Sequence, residues 1–255
     1  MTIKNILKLF YSELKYTFRF PVPEILFLLY FILLVYGFKS PQSIGFTGIN
    51  YNYYSFTYLT KNMLNIFLFL VIIYSAIVSI KFSLQLLDGS ISSYMLFPVN
   101  RKYFLLSKIM SYSILIIVSE VLPIIFFILI IQIPVTNLFY IFINILVWSF
   151  FTVSIAIFVS LISKSILASI VTFLICLYPG YFSIVPNLFN LNYYTKGIIY
   201  GPAALNFIKY TNFNGAIIQL YLALITITFV TIVIIIFSIH FFTKIDMRSG
   251  KWKYY

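Results

Sequence analysis

Six long apolar runs, separated by more polar segments of different lengths, dominate this sequence. A helix needs about 20 consecutive apolar residues to cross the hydrocarbon core of a membrane, and each run is close to that length. Only 9% of the residues are charged, whereas a soluble domain carries about 25%, so a water-soluble fold of this size could not cover its surface. The pattern predicts an all-α, polytopic membrane protein. Its six transmembrane helices are expected near residues 22–38, 62–87, 104–131, 135–162, 165–185 and 216–242.

Residues 3–19 have the pattern of an amphipathic helix. Phe10 and Leu14 belong to an apolar stripe with three- and four-residue spacing, while basic residues, including Arg19, occupy much of the remaining surface. A basic face beside an apolar face is typical of a helix that lies in the membrane interface. Two prolines follow this segment and are expected to end the helix.

The distribution of positive charge predicts the orientation of the chain. Thirteen of the 17 Lys and Arg residues fall on the side of the predicted helices that holds both termini. The four on the other side are Lys39, Lys61, Lys196 and Lys209. Because Lys and Arg are enriched in cytoplasmic segments, we expect a multi-pass protein of the cell membrane with cytoplasmic N- and C-termini. An even number of transmembrane helices agrees with this orientation.

The same pattern divides the chain into three parts. These are a cytoplasmic interfacial helix (1–20), a six-helix transmembrane domain (21–243) and a cytoplasmic tail (244–255). Within the transmembrane domain, residues 39–61 and 186–215 are expected to be external, and residues 85–108 to be cytoplasmic. Basic clusters at the cytoplasmic side predict contact with membrane lipids, and they do not form the continuous polar face that nucleic-acid binding needs.

The cytoplasmic segment 85–108 has an internal pattern of its own. Asp88 and Gly89 form a turn signal, and Ser90 could cap a new helix. The apolar face of that helix would comprise Ile91, Tyr94, Met95 and Leu96. Pro98 would then end it. The segment therefore predicts a short helix, roughly parallel to the membrane, between two chain breakers.

This segment resembles the permease subunits of ABC-2 type ATP-binding cassette exporters. In that family an acidic residue and Gly precede a short helix, which is followed by Pro-Val-Ser-Arg and a downstream Lys. The matching residues are Asp88, Gly89, Pro98, Val99, Arg101 and Lys108. Asn100 stands where Ser is usual, and Gln85 and Leu86 stand where charged residues are common.

The resemblance implies a transport mechanism that needs partners. The short helix would be a coupling helix that docks on a separate ATPase subunit, and the residues carrying this role would be Asp88, Gly89, Ser90, Ile91, Tyr94, Met95, Pro98, Arg101 and Lys108. The N-terminal helix, with Phe10, Leu14 and Arg19, matches the family's elbow helix. ATP and Mg would bind to the partner, because this sequence has no phosphate-binding G-x-x-x-x-G-K-[ST] loop. A second permease subunit, identical or different, would complete the pathway.

Glu120 is the acidic residue that falls well inside a predicted transmembrane helix. An ionisable group at that depth costs several kcal/mol unless it is paired or protonated, and therefore marks a candidate functional site. One hypothesis assigns Glu120 to the substrate path or to the seam between two permease subunits. The other is a protonated carboxyl that is hydrogen-bonded to a neighbouring Ser or Tyr.

Two alternatives to an exporter subunit stay open, whereas the residue types argue against an intramembrane protease. The chain could be a non-transporting membrane protein, such as an immunity or assembly factor, or a secondary transporter, although no internal repeat is evident. An intramembrane protease would need paired Asp residues within the membrane or an H-E-x-x-H zinc motif. The two Asp residues lie in cytoplasmic segments and the chain has one His, so no enzyme activity, resident cofactor or metal site is predicted.

Overall fold

The computed structural model of the chain describes residues 3–19, 22–42, 51–91, 100–131, 135–181, 213–246 and 253–254. These residues form seven α-helices and one two-stranded ladder. The helices are α1 (Ile3–Thr17), α2 (Val22–Gln42), α3 (Tyr51–Leu87), α4 (Arg101–Ile131), α5 (Val135–Ser163), α6 (Ala168–Tyr181) and α7 (Phe213–Lys244). The strands are β1 (Ile245–Asp246) and β2 (Lys253–Tyr254).

The six predicted transmembrane runs coincide with helices α2 to α7, in chain order. Four helices are long and apolar enough to cross a membrane, through Asn65–Leu87, Arg101–Phe126, Ile141–Ser163 and Leu220–Lys244. In α2 and α6 the described apolar stretches are shorter and cover Pro23–Leu33 and Ala168–Leu177. The chain is therefore a helical, polytopic membrane protein.

The start of α3 differs clearly from the prediction, whereas the start of α5 matches it. Helix α3 begins at Tyr51, although residues 39–61 were expected to be external and the helix to begin at residue 62. The segment from 51 to 61 contains neither Gly nor Pro, so nothing in it stops the helix where the side chains become polar. Helix α5 begins at Val135, as predicted, directly after Pro134 in the sequence, and proline suits the entry to a helix better than its interior.

A buried polar seam joins α3, α5 and α6. The hydroxyl oxygens of Ser79 and Ser160 lie 2.8 Å apart, and the Thr172 hydroxyl donates to Ser79 Oγ at 3.3 Å. Nearby, the Ser75 hydroxyl lies 3.9 Å from Cys176 Sγ. Small side chains let helix backbones approach closely in a membrane, and hydroxyl groups hydrogen-bond across the contact. This seam fixes the rotation of the three helices about their axes.

Helix α7 lies at the periphery of the bundle. It packs against α5 and, less extensively, against α4, and only 22% of its membrane-crossing segment is buried, compared with 72% for α5. Its exposed residues recur at helical spacing and include Ile218, Ile225, Phe229, Ile232 and Ile236. A helix with such an apolar exposed face suits contact with lipid chains.

The start of the C-terminal tail folds back on itself. Strands β1 and β2 pair in the antiparallel sense, with Ile245 opposite Tyr254 and Asp246 opposite Lys253. Among the described residues, this short ladder is the regular secondary structure that is not helical. It follows α7 directly and therefore lies at the same end of the bundle as Lys244.

Candidate functional site

Gly89 ends helix α3 through a left-handed backbone conformation. Its φ angle is 67°, a region that costs other residues roughly 1–2 kcal/mol because of their Cβ atom. The Asp88 amide still donates to the Leu84 carbonyl at 2.8 Å, and the Ser90 hydroxyl donates to the Gln85 carbonyl at 3.1 Å. Gly89 and Ser90 thus close the last turn of α3, as helix C-terminal motifs do, and the predicted turn at Asp88-Gly89 is confirmed.

The predicted docking face is described in part. Ile91 is 1% exposed and belongs to the chain's own apolar core. Tyr94, Met95 and Pro98 lie outside the described residues, and the coupling role of the segment stays a prediction. The burial of Ile91 anchors the start of the segment to the bundle.

Asn100 caps the start of helix α4. Its side-chain Oδ1 accepts a hydrogen bond from the Lys102 amide at 3.0 Å, and its carbonyl accepts from the Tyr103 amide at 3.0 Å. Asn and Ser are among the most favourable residues at this position, because their side chains satisfy amides that have no partner inside the helix. Asn100 therefore supplies a capping group that a Ser at this position would also supply.

Arg101 joins the start of α4 to the end of α7. Its Nη1 donates to the carbonyl of Thr243 at 3.1 Å. Carbonyl groups in the last turn of a helix carry the negative end of the helix dipole, so a guanidinium group is favourable there. This contact brings the first residues of α4 and the last turn of α7 to one end of the bundle.

Lys108 forms a buried ion pair with Glu13 of the N-terminal helix. The Lys108 Nζ lies 2.6 Å from Glu13 Oε2, and the two side chains are 1% and 3% exposed. One turn further along both helices, the Thr17 hydroxyl donates to Ser111 Oγ at 3.2 Å. From the first contact to the second, the residue number increases on both helices. Helix α1 therefore lies alongside the first part of α4 and runs in the same direction.

The buried face of α1 is rotated from its most apolar face. Glu13 and Thr17 are buried, whereas Leu7 is 61% exposed. Phe10 and Leu14 are partly buried and Arg19 is exposed. Sequence reasoning missed Glu13, although it lies seven residues after Ile6 and three after Phe10, on one stripe of the helix. An acidic residue within an apolar stripe indicates a buried charge that needs a basic partner, and Lys108 is that partner.

Two lysines flank the aromatic ring of Tyr16. The Nζ atoms of Lys81 and Lys108 lie 4.8 Å and 5.1 Å from the centre of that ring. Lys81 also lies 5.8 Å from the ring of Tyr112, and Lys108 lies 5.5 Å from the ring of Phe104. Aromatic faces stabilise ammonium groups at such distances. The aromatic side chains therefore support two like charges at the junction of α1, α3 and α4.

Glu120 is buried within α4, 3% exposed. Its Oε2 has no hydrogen-bond partner among the described residues. The neighbouring Ser119 hydroxyl lies within hydrogen-bonding distance of the carbonyls of Leu115 and Ile116, and Tyr30, which is completely buried on α2, has a hydroxyl with no partner in the described part of the chain. The hydrogen bond expected from a neighbouring Ser or Tyr is therefore not formed by Ser119, and the two hypotheses for Glu120 stay open.

An apolar groove lies between α2 and α4. It has a volume of about 430 Å³. Its lining includes Pro23, Phe27, Leu28, Val118 and Leu122, with Glu24 and Ser119 contributing polar groups. Such a groove can hold an acyl chain or another apolar group.

Two contacts between helices thus stand out: the hydrogen bond from Arg101 that joins the start of α4 to the end of α7, and the ion pair that fastens α1 to α4. No protein-family model and no curated protein matches the chain.

Proposed function

We propose that this chain is the membrane-spanning permease subunit of an ABC-2 type exporter. The observation that carries the proposal is that Gly89 and Asn100, at the two ends of the predicted coupling segment, each have a defined local role. Gly89 closes α3 in a left-handed conformation, and Asn100 caps α4. The motif residues on either side of the cytoplasmic segment thus have definite structural roles, as expected for a short element held at fixed points between two long helices.

In this proposal all six apolar runs cross the cell membrane. Helix α2 has 21 residues and is apolar from Pro23 to Leu33. Helix α6 has 14 described residues, and an apolar run continues beyond its last one. Together with the four long helices they give an even number of spans, with both termini in the cytoplasm as the positive charges favour.

The contacts at the proposed cytoplasmic end suggest how movement would be transmitted. Two permease subunits would pair, and ATP and Mg bound to two separate ATPase subunits would draw their coupling segments together. A displacement of α4 would reach α7 through Arg101 and Thr243, and α1 through Lys108 and Glu13. A shift between conformations requires that the ATPase contact differ between the two states.

The first experiment is affinity purification of the tagged full chain in a mild detergent, with mass spectrometry of the proteins that accompany it. We expect a stoichiometric ATP-binding cassette subunit. Gly89→Trp should reduce the recovery of that subunit, because a bulky residue cannot adopt the left-handed turn at low cost. Lys102→Gln is the matched control, since Lys102 is exposed at the same end of the bundle.

Recovery of the chain without an ATPase, under conditions that keep a known exporter assembled, would overturn the proposal. The remaining hypotheses would then be a non-transporting membrane protein and a secondary transporter. Unchanged recovery with Gly89→Trp would locate the ATPase contact elsewhere on the chain.

A further inference from the structure

The junction of α1, α3 and α4 contains more positive than negative charge. Lys81 and Lys108 both face the Tyr16 ring, at 4.8 Å and 5.1 Å from its centre. Among the described residues, Glu13 is the carboxylate that forms an ion pair here, and it pairs with Lys108. The cluster of two ammonium groups and one carboxylate therefore has a net charge of +1.

The two lysines differ in their access to the surroundings. Lys108 is 1% exposed and held by Glu13, so its charge is compensated inside the protein. Lys81 is only partly buried, and Tyr16 beside it is 39% exposed. An anion approaching this junction would meet Lys81, and the attraction would be stronger than in water because the site is partly dehydrated.

Two further basic residues lie close to Tyr16 along the chain. Arg19 lies two residues beyond the end of α1 and three residues after Tyr16 in the sequence. Lys15 directly precedes Tyr16, and both Lys15 and Arg19 are exposed. The C-terminal end of α1, which follows the contact between Tyr16 and Lys81, is therefore basic.

Apolar surface lies next to Lys81 on α3. Ile77 and Leu84, four residues before and three residues after Lys81, share its face and are 48% and 39% exposed. Lys81 lies six residues before the end of α3, about 9 Å at the helical rise of 1.5 Å per residue. With α3 crossing the membrane, Lys81 lies near the boundary between hydrocarbon and headgroups, and Ile77 lies one turn deeper.

We propose that Lys81, Tyr16 and Arg19 form a binding site for the phosphate of an anionic phospholipid. The ammonium and guanidinium groups would bind the phosphodiester, and the acyl chains would extend past Ile77. Basic pockets between transmembrane helices at the cytoplasmic side bind lipid headgroups in this way. The exposed apolar residue below the pocket is the reason to assign a lipid rather than a soluble phosphate compound. The proposal does not depend on the transport function.

The test is native mass spectrometry of the purified full chain in detergent micelles that contain equal amounts of phosphatidylglycerol and phosphatidylcholine with the same acyl chains. The wild-type chain should retain phosphatidylglycerol in preference to phosphatidylcholine. Lys81→Gln should lower this preference about fivefold, the factor that corresponds to about 1 kcal/mol for one charge near the membrane surface. Lys81→Arg should retain it.

Two further variants keep the result interpretable if Lys81→Gln disturbs the fold. Arg19→Gln removes a charge at an exposed position just beyond α1, and it should also lower the preference for phosphatidylglycerol. Lys164→Gln alters another partly exposed lysine, in the turn between α5 and α6, and it should leave the preference unchanged. The melting temperature of each variant reports whether its fold is intact.

Several outcomes would overturn the proposal. One is an equal lipid preference in the wild type, Lys81→Gln and Arg19→Gln. Another is an equal loss of preference in Lys164→Gln, which would indicate a general effect of net charge. A third is complete displacement of phosphatidylglycerol by millimolar glycerol 3-phosphate, since the site would then recognise a soluble phosphate and not a lipid.

Discussion

The Lys108 ammonium on α4 lies 2.6 Å from the Glu13 carboxylate on α1, and both side chains are almost completely removed from solvent. Ninety-five positions separate the two residues in the sequence, so the contact is a tertiary one. Removing two charges from water is costly, and their attraction repays the cost only while both are present. The ion pair therefore makes the docking of α1 sensitive to either residue.

Replacing one member of this pair should destabilise the protein strongly. Glu13→Gln or Lys108→Met leaves one buried charge without its partner, which typically costs about 3–5 kcal/mol. We expect a large fall in the thermal unfolding temperature of the purified chain in detergent. The double variant Glu13→Gln/Lys108→Met should recover much of the loss, whereas Lys102→Met, at an exposed position of α4, should have little effect. Additive losses in the double variant would contradict an energetic coupling between the two residues.

The capping role of Asn100 can be separated from its other properties. Asn100→Ala removes the side-chain acceptor for the Lys102 amide and should cost about 1 kcal/mol. Asn100→Ser retains an acceptor and should be nearly neutral. Equilibrium unfolding in mixed detergent micelles measures both. Equal destabilisation by Ala and Ser would argue against capping as the function of this residue.

The left-handed conformation of Gly89 predicts a graded response to substitution. Gly89→Ala places a Cβ atom at a φ angle of 67° and should lower stability by roughly 1–2 kcal/mol. Gly89→Asn should cost less, because Asn is the better tolerated residue in this region. A larger loss with Asn than with Ala in thermal unfolding would mean that the backbone angle does not determine the requirement for Gly.

Lys164 has a left-handed backbone conformation like that of Gly89, but its side chain has a Cβ atom. It has a φ angle of 47° at the end of α5, and its amide donates to the Ser160 carbonyl at 3.0 Å. Lys164→Gly should relieve backbone strain and stabilise the chain by up to about 1 kcal/mol, since Gly is the usual residue at this position. Lys102→Gly, within the first turn of α4, should destabilise it by a similar amount. A lower unfolding temperature for Lys164→Gly would refute this prediction.

Glu120→Gln tests whether an ionisable group is needed inside α4. The substitution preserves the shape of the side chain and removes its capacity to ionise, so the thermal unfolding temperature should change little. Glu120→Lys should prevent stable folding, because a buried ammonium group without a carboxylate partner is costly in a membrane. Loss of transport with retained stability in Glu120→Gln would favour the substrate-path hypothesis over a structural carboxyl.

Hydropathy predicted the helices well because each apolar run is close to the length of a membrane crossing. It did not predict that α3 begins at Tyr51, since a helix can continue beyond the apolar run when no breaker intervenes. The Asp88-Gly89 turn was predictable from local chemistry alone. The contacts of Glu13 with Lys108 and of Ser79 with Ser160 were not, because they depend on which helices are neighbours and how each is rotated. Residue spacing within one helix does not contain that information.

The hydrogen bond between Arg101 and Thr243 has a consequence for how the protein is made. Its partners are 142 residues apart in the chain, and at synthesis rates of about 5–20 residues per second the second partner appears roughly 7–30 s after the first. All residues of the polar seam between α3, α5 and α6 precede Thr243 in the sequence, so they are synthesised before Arg101 gains this partner. We therefore expect the three helices that share the seam to pack together before the last turn of α7 can bind Arg101.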